Sequence, residues 1–517
     1  MRKCRGMVFP ALALCLFCLF SGCNYRNPLS SEQKKTDATE ETLSTKGQKM
    51  DATEETLSSK EQKADATEGA LSTKGQEADT AEGESLTEGQ KKGADEEALP
   101  QEPEIADAIA EILDSATKEL VGSYRIDDSF LMWLAGRYER ESIYALQQAV
   151  REGTGQMEVW YELTGKSLHV LWVEYCRDSG VQEYYLEKVY EKECSNKEQV
   201  TMDFTGDINL AEGWSTTRYL DGRNGNIQEC FSTALWEEMQ SVDILMINNE
   251  FAYSNRGEAL AGKAYTFRAE PQRVASIVEL GTDVLSLANN HVYDYGEEAL
   301  LDTLDVVEEA GIPYVGAGRN LEEAMKPVYF IANGRKIAIV SATQIERSTN
   351  YTKEATDESG GVLKTLNPDK FLSVIQEADG RSDYVIAFVH WGTENTNHYE
   401  GDQIELGRKF IDAGADVIIG GHTHCLQGFD YYNGKPIIYS LGNYWFNDRT
   451  IDTGLSQVTI HTDSNEIEFR FLPCIQRGCV TSLVEDAGEK QRILEFMQQI
   501  SSSNVSVGED GSVTQMP

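Results

Sequence analysis

The stretch Val417-Ile418-Ile419-Gly420-Gly421-His422-Thr423-His424 sets the architecture. Three β-branched residues in a row read as a short buried strand, which stops abruptly at small and polar residues. The same texture recurs through residues 200–446. Residues 201–204 lead into Gly206-Asp207, residues 244–247 into Asn248-Asn249-Glu250, and residues 284–287 into Asn289-Asn290-His291. Residues 384–389 lead into His390-Trp391-Gly392. Helical spacing fills intervals at 273–280, 297–309 and 404–413. Strand, polar residues and helix in repetition predict an α/β fold. In such folds ligands bind beyond the carboxyl ends of the strands.

The polar residues at those strand ends form a metal-ligand set. His291, His390, His398, His422 and His424 are five of the seven histidines in the chain. Asp207, Glu250 and Asn290 add carboxylate and amide oxygens. A mixture of imidazole and oxygen donors, without thiolate, suits Mn, Zn, Fe or Ni. One histidine after a strand is ordinarily a turn residue or a satisfied core group. Four such motifs in one region point to a site.

In order and type these motifs resemble the bacterial capsule-synthesis CapA (poly-γ-glutamate synthesis) family, which is similar to calcineurin-like metallophosphoesterases. The resemblance includes Asp294, Glu394 and the stretch Tyr439-Ser440-Leu441-Gly442-Asn443. It implies two packed sheets flanked by helices (α/β/β/α) and a centre for one or two divalent metal ions. Asp207 matches the first metal ligand, and Asn209 stands where the wider superfamily often has a histidine. Glu250 occupies the place of a bridging Asp. Asn290 matches an amide ligand, and His390, His422 and His424 match three imidazole ligands. His291 matches the catalytic group that protonates the leaving group or stabilises the transition state. Asp294 and Glu394 are expected to orient an imidazole.

The N-terminus reads as an export signal. Arg2, Lys3 and Arg5 precede an apolar stretch at 7–20, which is short for a spanning helix. It ends in Phe20-Ser21-Gly22-Cys23, similar to a bacterial lipobox. The expectation is a lipoprotein signal over 1–23, lipid on Cys23 and an extracytoplasmic, membrane-anchored protein. Residues 24–103 read as a disordered acidic spacer built on a 14-residue repeat, Asp37-Ala38-Thr39-Glu40-Glu41-Thr42-Leu43 and its copies from Asp51 and Asp65. One leucine per unit buries too little to offset ordering entropy. Residues 104–197 are expected to form a small α+β domain, with helices near 105–120 and 142–151 and paired strands within 157–175. The metallophosphoesterase-like domain is expected over 198–475, and a helix and polar tail over 476–517.

Lys plus Arg total 46 against 86 Asp plus Glu, a formal charge of -40. That balance argues against nucleic acid as a partner. Two functions fit. One is a metal-dependent hydrolase or transferase acting on a capsule or cell-envelope polymer. The other is a non-catalytic metal-binding component working with polymer synthesis or export proteins.

Overall fold

The protein is described by a computed structural model covering residues 102–181, 187–346 and 351–517. The signal segment with Cys23, and all but the last two residues of the 24–103 spacer, lie outside the described residues.

In chain order the strands begin with β1 (Lys188–Lys192), β2 (Gln199–Ile208), β3 (Ile244–Asn249), β4 (Ala252–Tyr253) and β5 (Arg268–Ala269). Then come β6 (Val284–Ser286), β7 (Tyr314–Val315), β8 (Ala317–Gly318), β9 (Val328–Ala332), β10 (Arg335–Thr343) and β11 (Gly361–Val362). β12 (Tyr384–His390), β13 (Val417–Gly421), β14 (Leu426–Tyr432), β15 (Lys435–Leu441) and β16 (Asn443–Trp445) follow. β17 (Ile451–His461), β18 (Ile467–Arg477), β19 (Val480–Leu483), β20 (Val505–Val507) and β21 (Val513–Gln515) end the series.

Two large sheets result. The first runs β1-β9-β10-β12-β13-β15-β14, and the second runs β19-β18-β17-β2-β3-β6-β7 with β16 paired to β2. Side-chain alternation builds three layers of core from these strands. Phe204, Met246, Phe388, Ile419 and Val458 point between the sheets and form one buried cluster. Leu245, Ile247 and Leu285 face the other way, under helices Thr233–Ser241 and Glu297–Glu309. On the far side Val385, Ala387 and Val389 pack under helices Asp369–Asp379 and Gly401–Asp412. The protein is thus a four-layer α/β/β/α sandwich.

The N-terminal part departs from expectation. Residues 157–175 are not paired strands. They form helices α5 (Glu158–Thr164) and α6 (Leu168–Ser179), which follow α1 (Glu102–Ser115), α2 (Lys118–Val121), α3 (Asp128–Arg137) and α4 (Glu141–Glu152). Two local signals decide for helix. Gly165 ends α5 at φ 71°, and Ser167 caps α6 by accepting a hydrogen bond from the Val170 N–H. Nearly every residue of α6 from Leu168 to Cys176 is buried. That hides the polar face that normally reveals helical period. His169, expected on a strand, is therefore a buried helical residue beside the Tyr124 hydroxyl. The region is all-helical up to Ser179, and β1 pairs in parallel with β9, so the sandwich begins at Lys188 rather than residue 198. Its last residues also differ: β18 and β19 complete the second sheet, and the tail after helix Ala487–Ile500 forms the β20–β21 hairpin.

Gly206 shows how tightly the sandwich closes. A Cβ there would lie 1.9 Å from the Gly442 carbonyl oxygen. Gly206→Ala should therefore destabilise the fold by more than about 2 kcal/mol in denaturant unfolding. Gly136→Ala, in α3 with nothing within 4 Å of the new methyl group, should stabilise it by about 0.5–1 kcal/mol.

Candidate metal centre

The candidate residues meet where the two sheets' parallel strands end. β2, β3 and β6 deliver Asp207, Glu250 and the pair Asn290-His291 from one sheet. β12 and β13 deliver His390, His422 and His424 from the other. Asp207, Glu250 and His390 have no solvent exposure.

Two donor sets form, and they share one carboxylate. Glu250, His390 and His422 make the first, and Asp207, Glu250 and His424 make the second. Within each set the donor atoms lie within 4.8 Å of one another. Asn290 Oδ1 joins the first set, 2.7 Å from His390 Nε2. His422 Nδ1 lies 3.1 Å from the same nitrogen, and Glu250 Oε1 lies 3.5 Å from it. Four atoms able to ligate a metal thus converge on one point. In the second set His424 Nδ1 stands 3.5 Å from Asp207 Oδ2.

The site's electrostatics fit a cation. Neither oxygen of Glu250 has a hydrogen-bond partner, although the residue is fully buried. An uncompensated buried carboxylate costs several kcal/mol. His390 offers no relief, because burial pushes its pKa to about 3 and leaves the imidazole neutral. Burial, with Asp207 and Glu394 nearby, raises the Glu250 carboxyl well above its ordinary range. Burial opposes the Asp207 charge, but the hydrogen bond and charge of His424, with the hydrogen bond from Asn248, outweigh it and hold that carboxyl low. His424 is moved up by the same partnership, against the effect of its own burial. The residues present fit divalent metal ions, with Glu250 placed to serve both sets.

Backbone geometry supports the convergence. His422 and His424 adopt φ values of 93° and 59°, a left-handed conformation that costs non-glycine residues about 1–2 kcal/mol. Gly442, at φ 64°, carries the chain from β15 in the first sheet to β16 in the second. A side chain there would collide with the Cys425 backbone. The crossover sets Asn443 beside Asp207, and Asn443 Oδ1 lies 2.8 Å from His424 Nδ1. On the other flank Asn248 donates to Asp207 Oδ1 at 2.6 Å.

His291 occupies a different position. Its Nδ1 lies 2.7 Å from Asp294 Oδ2, and its Nε2 faces Glu250 Oε1 at 3.9 Å. Asp294 is buried and also accepts from the Phe267 N–H. Burial lowers the His291 pKa, with Asp294 acting in the opposite sense. Sequence reasoning missed Lys263. Its side chain is 6% exposed, and its ammonium lies 2.7 Å from Asp294 Oδ1, off the line of a hydrogen bond, as an ion pair. It also donates to the Asn290 carbonyl. Lys263 therefore braces both the His291 partner and the backbone of an amide ligand. It comes from a loop with no periodic signal, so only the three-dimensional fold reveals it.

Two expected residues sit apart. Asn209 is buried, but its amide oxygen accepts from the Ala211 N–H at 2.7 Å, leaving only N–H bonds, which are no metal donor. Glu394 does not hold an imidazole by any described hydrogen bond. It stands exposed at the mouth of a cleft of about 460 Å³ that opens from His291 and His424.

A four-layer two-sheet sandwich with a cluster of candidate metal ligands at the strand ends is the class that the fold and site define. The chain belongs to the bacterial capsule synthesis protein PGA_cap family, whose model matches residues 201–448. It is 37% identical over 214 residues to the capsule biosynthesis protein CapA of Bacillus anthracis, covering 40% of this chain and 51% of that one. It is 32% identical over 259 residues to the PGA biosynthesis protein CapA of Bacillus subtilis, covering 49% of this chain and 67% of that one. The chain thus spans about half the length of the B. anthracis relative. A 5'-nucleotidase structure from Candida albicans aligns over 53% of this chain and 50% of that one, at a TM-score of 0.29 and 11% identity. A likeness that loose carries no weight, and the two-sheet fold rests on the strand pairing itself.

The shared carboxylate gives a signed prediction. Because the folded carboxyl of Glu250 lies above its ordinary 4.5, the metal-free fold retains a proton there that the unfolded chain releases. This group therefore costs stability as pH rises past 4.5, and a bound cation removes that cost. Glu250→Gln should leave the chelated protein at least as stable as chelated wild type at pH 7. It should also abolish the rise in Tm that Mn²⁺ gives the wild type. Thermal unfolding with and without metal checks both.

Proposed function

We propose that the protein is a metal-dependent hydrolase or transferase acting on an anionic capsule or cell-envelope polymer. The observation that carries the reading is Glu250, a buried carboxylate with both oxygens unpartnered, shared by two donor sets. Asp207, Glu250, Asn290, His390, His422 and His424 would hold divalent ions, which supply positive charge for a developing oxyanion and acidify water.

The chain's own residues do the rest. Asn248 and Asn443 fix the orientation of Asp207 and His424. Asp294 holds His291 through Nδ1, so Nε2 is the atom that exchanges a proton with the group attacked or expelled. Lys263 pairs with Asp294 and holds it in place. Phe267 and Phe446 back His291 and His424 with ring centroids at 4.3 and 4.8 Å, narrowing the water around the reacting atoms.

His291→Ala should retain full metal content and the native fold, yet cut phosphodiester or native turnover by roughly 10²–10⁴. His422→Ala and His424→Ala should lose metal and activity together. Metal analysis beside activity in the three variants separates the outcomes. An emptied site in His291→Ala would make that residue a ligand. Unchanged function in it would make the protein a metal-binding component of a polymer assembly.

The proposal extends to location. A lipid on Cys23 and the acidic repeat would hold the folded body outside the membrane; the basic start, the apolar stretch and the Ser21-Gly22-Cys23 sequence support this. Among the described residues no helix is long and apolar enough to cross a membrane. Cys23→Ser should move the protein from the membrane to the soluble fraction. Retention with an uncleaved signal would contradict lipid anchoring.

A further inference from the structure

The cleft that leads to the centre has an aromatic outer wall that neither the metal ions nor His291 uses. Phe267 touches His291 and Phe446 touches His424, and the two phenylalanines meet at 5.6 Å. The wall continues outward. Trp214 crosses Phe267 edge-on at 5.0 Å, and Tyr265 lies stacked with Phe267 at 6.4 Å. Trp214 and Tyr265 stand at 81° to each other, forming a corner with two ring faces. Tyr265 is 62% exposed. Arg218, on the helix that starts beside Trp214, lines the same cleft.

A large aromatic left in water beside a reactive centre forgoes burial that a ligand can restore. A corner of two perpendicular rings accepts a flat group, stacked on one face and held edge-on by the other. The corner lies one ring beyond Phe267, the ring that contacts His291. A ligand whose anionic group sits at the donor sets therefore presents its next moiety to Trp214 and Tyr265. Arg218 can meet that moiety's hydroxyl or carbonyl oxygens.

We propose that this corner is a ring-binding subsite, and that the centre takes a phosphate ester carrying a ring with a face to pack on an aromatic side chain, a glycosyl or nucleosidyl group. The inference rests on the metal-centre reading above and deepens it by naming the substrate class. It separates that class from a ringless γ-glutamyl chain, which offers carboxylates and methylenes but no face to stack.

The test is calorimetric binding to the Mn²⁺-loaded full mature chain. The probes are inorganic phosphate, glucose 1-phosphate, adenosine monophosphate and a γ-linked glutamate oligomer. One of the two ring-borne phosphates should bind about tenfold or more tightly than inorganic phosphate, and which one does so identifies the ring. Tyr265→Ala should erase that margin while leaving phosphate affinity unchanged, and Tyr265→Phe should keep it. Trp214→Ala should act like Tyr265→Ala. Its indole N–H holds the Phe446 carbonyl, so the exposed Tyr265 is the cleaner position. Absence of a margin in the wild type, its survival in Tyr265→Ala, or tighter binding of the glutamate oligomer would overturn the proposal. His422→Ala separates it from the metal reading. Loss of phosphate binding there upholds the centre whatever the ring margin shows. Phosphate affinity unchanged in His422→Ala would sink the centre, and no binding of any phosphate would sink both.

Discussion

The structure turns on one buried carboxylate. Glu250 sits at the end of β3 with no solvent and no hydrogen-bond donor on either oxygen. Around it converge the imidazoles of His390, His422 and His424, the Asp207 carboxylate and the Asn290 amide oxygen, all of them groups able to ligate a cation. A cation among them would compensate the Glu250 charge. Each donor set also mixes the two sheets. Glu250 and Asp207 come from one, and His390, His422 and His424 from the other. Metal bound at Glu250 would therefore tie the two halves of the sandwich together at the edge where the cleft opens. Stability and chemistry depend on the same charge.

The remaining polar residues follow from that constraint. Asp207 must be held as an anion, and the amides of Asn248 and Asn443 flank it from neighbouring strands. Asn443 can do so only because Gly442 lets the chain cross between sheets. His291 must stay out of the donor sets, and the Asp294–Lys263 ion pair draws its Nδ1 away from Glu250. The net charge of -40 describes the whole chain and says little about this spot, where aromatic walls and Arg218 shape the approach.

Much of this was legible in the sequence because strand ends leave a sharp mark. A β-branched run that stops at Gly-Asp, Asn-Asn-Glu or Gly-Gly-His is a buried strand meeting polar surroundings, and each such run does end at the site. The dipeptide Asn433-Gly434 is likewise a turn signal in the sequence, and both residues take positive φ between β14 and β15. What failed did so for physical reasons. Helix α6 is buried on nearly all sides, so its apolar alternation imitated a strand. Asn209 looked like a ligand by position, but a local turn claims its oxygen. Lys263, Asn443 and the Trp214–Tyr265 corner act through contacts distant in sequence, which spacing along one chain does not display. The tail after residue 500 reads as polar, yet its β20–β21 hairpin packs Val505 and Val513 into the inter-sheet core.

The most direct test of this account is anomalous diffraction from crystals of the protein grown with Mn²⁺. The account predicts two anomalous peaks flanking Glu250, one contacted by His390, His422 and Asn290, the other by Asp207 and His424. A site without metal, with the Glu250 oxygens turned onto protein donors, would contradict it.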